Sequence, residues 1–95
     1  MSELEKAMGT INKIFHDYSY KEGDKHGLSK QGMKDLLQNE LRDYAERNPG
    51  SMDKVMKEVD ENKKVVLDLD SFFNLLASVL VTPARSRILT DVSEN

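Results

Sequence analysis

The sequence predicts an all-α domain of four helices arranged as two helix–loop–helix units. Apolar residues recur at three- and four-residue steps in four stretches, polar loops separate the first from the second and the third from the fourth, and the order helix, loop, helix occurs twice. A chain of 95 residues makes one domain. Alone it buries a modest fraction of its surface, so pairing with a second copy is a natural way to complete the core.

Helix one is expected from Leu4, Ala7, Met8, Ile11, Ile14, Phe15 and Tyr18, which fall on one face and run to about Tyr18. The polar stretch from Ser19 to Leu28 carries Gly23 and Gly27 and must loop, with Leu28 its one apolar residue. Ser29 can cap helix two, whose apolar positions are Met33, Leu36, Leu37, Leu41 and Tyr44, and Asn48-Pro49-Gly50 then breaks the chain. Ser51 can cap helix three, with Met52, Val55, Met56 and Val59 on its apolar face. A charged loop from Asp60 to Asp70 follows, containing Val65-Val66-Leu67. Helix four, Phe72 to Val81, is apolar over more than a stripe and is expected to face two packing surfaces. Thr82-Pro83 ends or restarts it, and the polar tail from about Leu89 has little to bury. The divisions expected are an N-terminal unit 1–42, a hinge 43–51, a C-terminal unit 52–82 and an extension 83–95, all within the single domain 1–95.

Composition removes several function classes. The chain has no Cys, which excludes disulfides, thiolate metal sites and cysteine nucleophiles. Charged residues make up 33% of it at a net charge of −3, with the signs interspersed and no basic face to track a phosphate backbone, so nucleic acid is not an expected partner. The opening residues Met1-Ser2-Glu3-Leu4-Glu5-Lys6 are acidic where a secretory signal is basic and then apolar, and no apolar run reaches membrane-spanning length. The expectation is a soluble cytoplasmic protein that associates with membranes only through a partner. An enzyme is not expected: a serine nucleophile needs a histidine and an orienting carboxylate, and His16 and His26 both sit beside a loop in a chain too small for an obvious cleft.

The second loop has the spacing of an EF-hand, which needs oxygen ligands at positions 1, 3, 5, 7, 9 and 12, glycine at 6 and an apolar residue at 8 for the short strand that joins two loops, so a short two-stranded loop pairing is expected. Asp60 falls at position 1, Asn62 at 3, Val66 offers its carbonyl at 7, Leu67 is the apolar residue at 8, and Asp68 falls at 9. Position 5 is Lys64, position 6 is Val65, and position 12, where a bidentate glutamate belongs, is Ser71. An ammonium among the carboxylates cancels much of the charge that captures calcium. Lys64 is instead placed to act as a tethered cation among Asp60, Asp68 and Asp70.

The runs Phe15-His16-Asp17-Tyr18-Ser19, Glu22-Gly23-Asp24-Lys25, Leu28-Ser29-Lys30 and Asp35-Leu36-Leu37 resemble the N-terminal signature of the S-100 family of dimeric two-EF-hand proteins. The likeness extends over nearly the whole chain. It implies a first loop of fourteen residues that binds calcium weakly through backbone carbonyls, here those of Ser19, Glu22, Asp24 and Gly27, and that ordinarily closes with a glutamate; Gly32 stands at that place. Gly32 also breaks the capping box that Ser29 would otherwise form. Both loops thus lack the same closing ligand, and no cofactor is required beyond, at most, weakly held calcium.

The resemblance further implies an X-type four-helix homodimer, with Leu4, Ala7, Met8 and Ile11 meeting Phe72, Leu75 and Val79 across a twofold axis. It implies a groove for an amphipathic partner helix lined by Leu41, Tyr44, Met52, Val55, Met56, Phe73, Leu76 and Leu80. Periodic apolar residues of this kind are ordinarily core, which is the competing expectation for most of them. His16 and His26, with Asp24, resemble half of a zinc site found at some S-100 dimer interfaces, but residues 83–89, which would supply the other half, contain no histidine. The second half, Met52 to Asp60 and then Ser71-Phe72-Phe73, is most similar to the calpactin branch of the family, which is calcium-insensitive and binds annexins. The chain departs from that branch in its unshortened first loop and in Pro83. The function expected is therefore a calcium-insensitive adaptor; the alternatives are a weak calcium sensor or buffer working through the first loop, and a zinc-binding protein.

Overall fold

The computed structural model describes residues 1–23 and 26–81. What the sequence leads one to expect of Asp24, of Thr82-Pro83 and of the 83–95 extension lies outside these residues.

Helix α1 spans Glu3–Lys21. Its start is fixed by a reciprocal cap: the Glu5 amide donates to the Ser2 hydroxyl at 3.1 Å and the Ser2 amide donates to the Glu5 carboxylate at 2.8 Å. It continues past the expected end at Tyr18 because Ser19 is fully buried and its hydroxyl donates back to the His16 carbonyl at 3.1 Å. Gly23, at φ +84°, then turns the chain in the left-handed conformation that glycine adopts without a side-chain clash.

Strand β1 (Leu28–Ser29) pairs antiparallel with β2 (Val66–Leu67), placing Leu28 opposite Leu67. The apolar residue of each loop is therefore the residue that joins the loops, and both leucines are wholly buried. Gly27 permits this pairing, since a Cβ there would stand 2.8 Å from the Leu67 carbonyl oxygen, a backbone atom with no freedom to swing aside.

The described residues hold five helices where four were expected. Helix α2 (Lys30–Glu40) begins at the Ser29 cap, as its sequence predicts, but stops at Leu41 instead of running on to Tyr44. A separate short helix, α3 (Arg42–Arg47), carries Tyr44. Helix α4 (Pro49–Glu61) starts before the expected cap at Ser51: Pro49 occupies the first turn, where its missing N–H costs nothing, and Asn48 precedes it without a side-chain cap bond. Helix α5 spans Leu69–Val81.

One core joins these elements. Phe15 of α1, Met33, Leu36 and Leu37 of α2, Val55 and Val59 of α4, and Phe72, Leu75 and Val79 of α5 cluster around the Leu28/Leu67 pair. The Phe15 and Phe72 rings stack with centroids 5.7 Å apart. Among the described residues, no helix is long and apolar enough to cross a membrane.

Candidate functional site

The second loop's oxygens are engaged by the chain's own donors. At position 1, the Asp60 carboxylate accepts from Lys34 at 2.7 Å, and the Asp60 carbonyl accepts from Lys30 at 2.8 Å. Two lysines of α2 thus hold the C-terminal end of α4, where the helix dipole favours positive charge. At position 3, the Asn62 side-chain oxygen accepts from the Lys64 amide at 2.9 Å. At position 9, Asp68 accepts from the Lys64 ammonium at 3.1 Å, and from both the amide and the hydroxyl of Ser71 at 3.0 Å. Lys64 therefore joins Asp68, while Asp60 is held from another helix. Val66 supplies position 7 from within the strand pairing, and Ser71, at position 12, is buried against Asp68. An EF-hand site takes several free carboxylate oxygens and a bidentate glutamate. This donor set departs from that pattern: Lys64 puts an ammonium on Asp68, and Ser71 stands where the bidentate glutamate belongs.

The Ser71 amide, the Lys64 ammonium and the Ser71 hydroxyl, in that order, lower the Asp68 carboxyl from its ordinary 3.8 to about 2. Because the folded value lies below the unfolded one, the contribution to stability is complete above about pH 4 and is lost as pH falls through about 2. An NMR titration of the Asp68 carboxyl carbon is expected to show a midpoint near 2. In Lys64→Ala the midpoint should rise but stay below the ordinary value, because the Ser71 bonds remain; a midpoint at the ordinary value in the native chain would show that this corner does not form.

In the first loop, Ser19 lies in the last turn of α1, Gly27 is buried against β2, and Asp24 is outside the described residues. The Glu22 carboxylate is bound at the head of α2: the Ser29 amide donates to it at 2.9 Å and the Ser29 hydroxyl at 2.7 Å. The Ser29 hydroxyl in turn accepts from the Gly32 amide at 3.0 Å. Half of the capping box that Gly32 was expected to break is therefore present.

His16 and His26 line one small pocket of about 280 Å³ with Phe15, Asp68, Leu69 and Asp70. The His16 Nδ1 atom lies 2.9 Å from the Asn12 carbonyl, and Asp68 is held by Lys64 and Ser71. Among the described residues, no three metal-ligating side chains converge.

A second concavity is an apolar groove of about 380 Å³. Ile11 and Ile14 of α1 form one wall, Leu36, Leu37 and Glu40 of α2 with Leu41 and Tyr44 form another, and Phe72, Leu76, Val79 and Leu80 of α5 complete it. Glu40, the one charged residue of this lining, accepts from the Tyr18 hydroxyl at 3.0 Å. Of the residues expected to receive a partner, Leu41, Tyr44, Leu76 and Leu80 line the groove. Met52 and Val55 are buried, Met56 packs partly buried against the core, and Phe73 is exposed outside the groove. Helix α4 packs against α2, α3 and α5. Of the residues expected to form a dimer, Leu4, Ala7 and Met8 are exposed, whereas Phe72, Leu75 and Val79 are buried within the single chain. Ile11, Phe72 and Val79 line the same groove, which thus draws on both expected sets. Ile14, Leu36, Leu37 and Glu40 were missed as lining residues, although the periodicity that marked the first three as core also placed them on inward-facing stripes.

The family model of the S-100/ICaBP type calcium binding domain matches residues 4–48, from α1 through α3. Over these residues the chain is similar to the S-100 family, and the helical fold with its small two-stranded sheet is consistent with an S-100 EF-hand. Proteins of that family are calcium-binding regulators and not enzymes, and they generally dimerise and bind target proteins.

Proposed function

We propose that this S-100-type chain is a calcium-insensitive EF-hand adaptor, and that the groove between α1, α2 and α5 receives the apolar face of a helix from a partner protein. The groove is the observation that carries the reading. Its walls are apolar except for Glu40, whose carboxylate is already bonded to Tyr18, and its volume lies within the roughly 300–1,000 Å³ of ligand pockets. Calcium insensitivity is supported by the second loop, where Asp60 and Asp68 hold lysines and Ser71 bonds to Asp68. The proposal includes a homodimer paired through α1 and α5, to which the exposed Leu4 and Met8 contribute, in a cytoplasmic setting where any membrane association comes through the partner. Residues 43–51 serve as the connector between the two EF-hand units. The calpactin-like second half makes an annexin helix the first partner class to test.

The test is calorimetric titration of the full chain with an amphipathic annexin N-terminal peptide, once in chelator and once in millimolar calcium. Equal affinity in the two conditions is expected. Binding that appears only with calcium would replace this reading with that of a weak sensor working through the first loop, and no binding in either condition would remove the groove as a site for such a helix.

A further inference from the structure

We infer that Glu22 is the first loop's own closing carboxylate, an intramolecular substitute for the side chain that residue 32 lacks, and that it shuts the loop on itself without a metal. In a complete capping box the N-cap hydroxyl accepts from the amide three residues on, and the carboxylate of that residue accepts from the N-cap amide. At the head of α2 the first bond is present, from Gly32 to Ser29. The second is made by Glu22, ten positions earlier in the chain, which takes both the amide and the hydroxyl of Ser29. The carboxylate thus arrives from the loop and not from the helix.

The same carboxylate occupies the space of the missing side chain. A Cβ built on Gly32 would lie 2.8 Å from the Glu22 carboxyl carbon and closer still to one of its oxygens. A side chain at residue 32 must push the Glu22 carboxylate from its place on Ser29, so glycine at 32 and glutamate at 22 are two parts of one arrangement. The acid is placed where the N-terminal end of a helix favours negative charge. Any cation that uses the carboxylate, or any glutamate restored at residue 32, must first displace these bonds. This device concerns the loop alone and goes beyond the adaptor reading.

The experiment compares four full-length proteins: native, Gly32→Ala, Glu22→Ala and the double variant. Alanine ordinarily favours a helix over glycine, so a coupled pair produces a reversal of sign. Gly32→Ala is expected to lower Tm in the native background and to raise it when Glu22 is already Ala. A rise in both backgrounds would overturn the inference. The Ser29 amide provides a second readout: its proton resonance should move upfield and its hydrogen exchange should quicken in Glu22→Ala and, to a smaller degree, in Glu22→Gln. An unmoved resonance would refute the contact directly. A calcium titration of Gly32→Glu and of Glu22→Ala/Gly32→Glu, followed at first-loop amides, completes the test. The double variant is expected to bind about tenfold more tightly, on the scale of one charge-assisted hydrogen bond, and equal affinities would count against Glu22 as the group holding the place. None of these readouts involves the groove, so failure here leaves the adaptor reading standing and failure there leaves this one.

Discussion

Phe15→Ala is expected to lower the unfolding free energy by about 3–5 kcal/mol, the range for a large aromatic truncated in a core. Phe15 is 1% exposed and stacks on Phe72, so the deletion removes its own burial and strips one face from a second ring. The two rings also connect different parts of the molecule. Phe15 lines the pocket beside the loops and Phe72 lines the groove, so the cavity opens between them. Against a typical total of about 5–15 kcal/mol, this loss is a large share of the whole stability. Urea unfolding followed by far-UV circular dichroism checks it, with Val65→Ala as the control. Val65 is 82% exposed, and its truncation should stay within about 0.5 kcal/mol of the native chain. A loss below about 1 kcal/mol for Phe15→Ala would mean that the ring does not hold the position described.

The parts of the fold that were legible in the sequence are those fixed by local rules. The periodic stripes marked the helices, Ser29 marked the start of α2, and Leu67 marked the loop pairing as the apolar residue at position 8, while Leu28 stood out only as the one apolar residue of the first loop. The connector was not legible in the same way. Leu41 to Tyr44 keeps helical spacing, yet at Leu41 the backbone departs to φ −113° and ψ 32°, which no residue type there announces. Ser51 was a plausible cap, but Pro49 fits the first turn and moved the start of α4 forward. The Ser2/Glu5 capping box was visible in the sequence and was passed over.

The candidate site was legible as chemistry but not as geometry. Spacing alone identified Lys64 and Ser71 as departures from an EF-hand loop. That Lys34 comes across from α2 to Asp60 depends on how the two units pack, which no local window contains, and that Glu22 reaches seven residues forward to Ser29 depends on how the chain enters α2, which helical periodicity does not carry. The same holds for the groove. Periodicity marked Met52 and Val55 as apolar without showing that both are buried in the single chain, whereas Leu41, Tyr44, Leu76 and Leu80 of the same expected set line the groove.

Where the partner sits is tested by two large exposed apolar residues of α5, Phe73 and Leu80. Leu80 is 52% exposed and forms part of the groove wall, whereas Phe73 is 38% exposed and lies outside it. Leu80→Glu keeps a good helix former at a half-exposed position and should lower stability by about 1 kcal/mol, well short of unfolding the chain. It also sets a carboxylate into an apolar lining that already contains Glu40, where a partner's side chains would have to desolvate it. Losing the burial of one leucine, about 1.5–3 kcal/mol, corresponds to roughly a tenfold to hundredfold fall in affinity for an amphipathic helix. Calorimetry in chelator measures this, beside Phe73→Glu, which should bind as the native chain does. The opposite ranking, with Phe73→Glu impaired and Leu80→Glu intact, would place the partner on the other face of α5. Light scattering on the same samples separates the remaining cases. If Leu80→Glu also halves the molecular mass, the groove is the seam between two copies; if the mass is unchanged while affinity falls, the groove belongs to the partner.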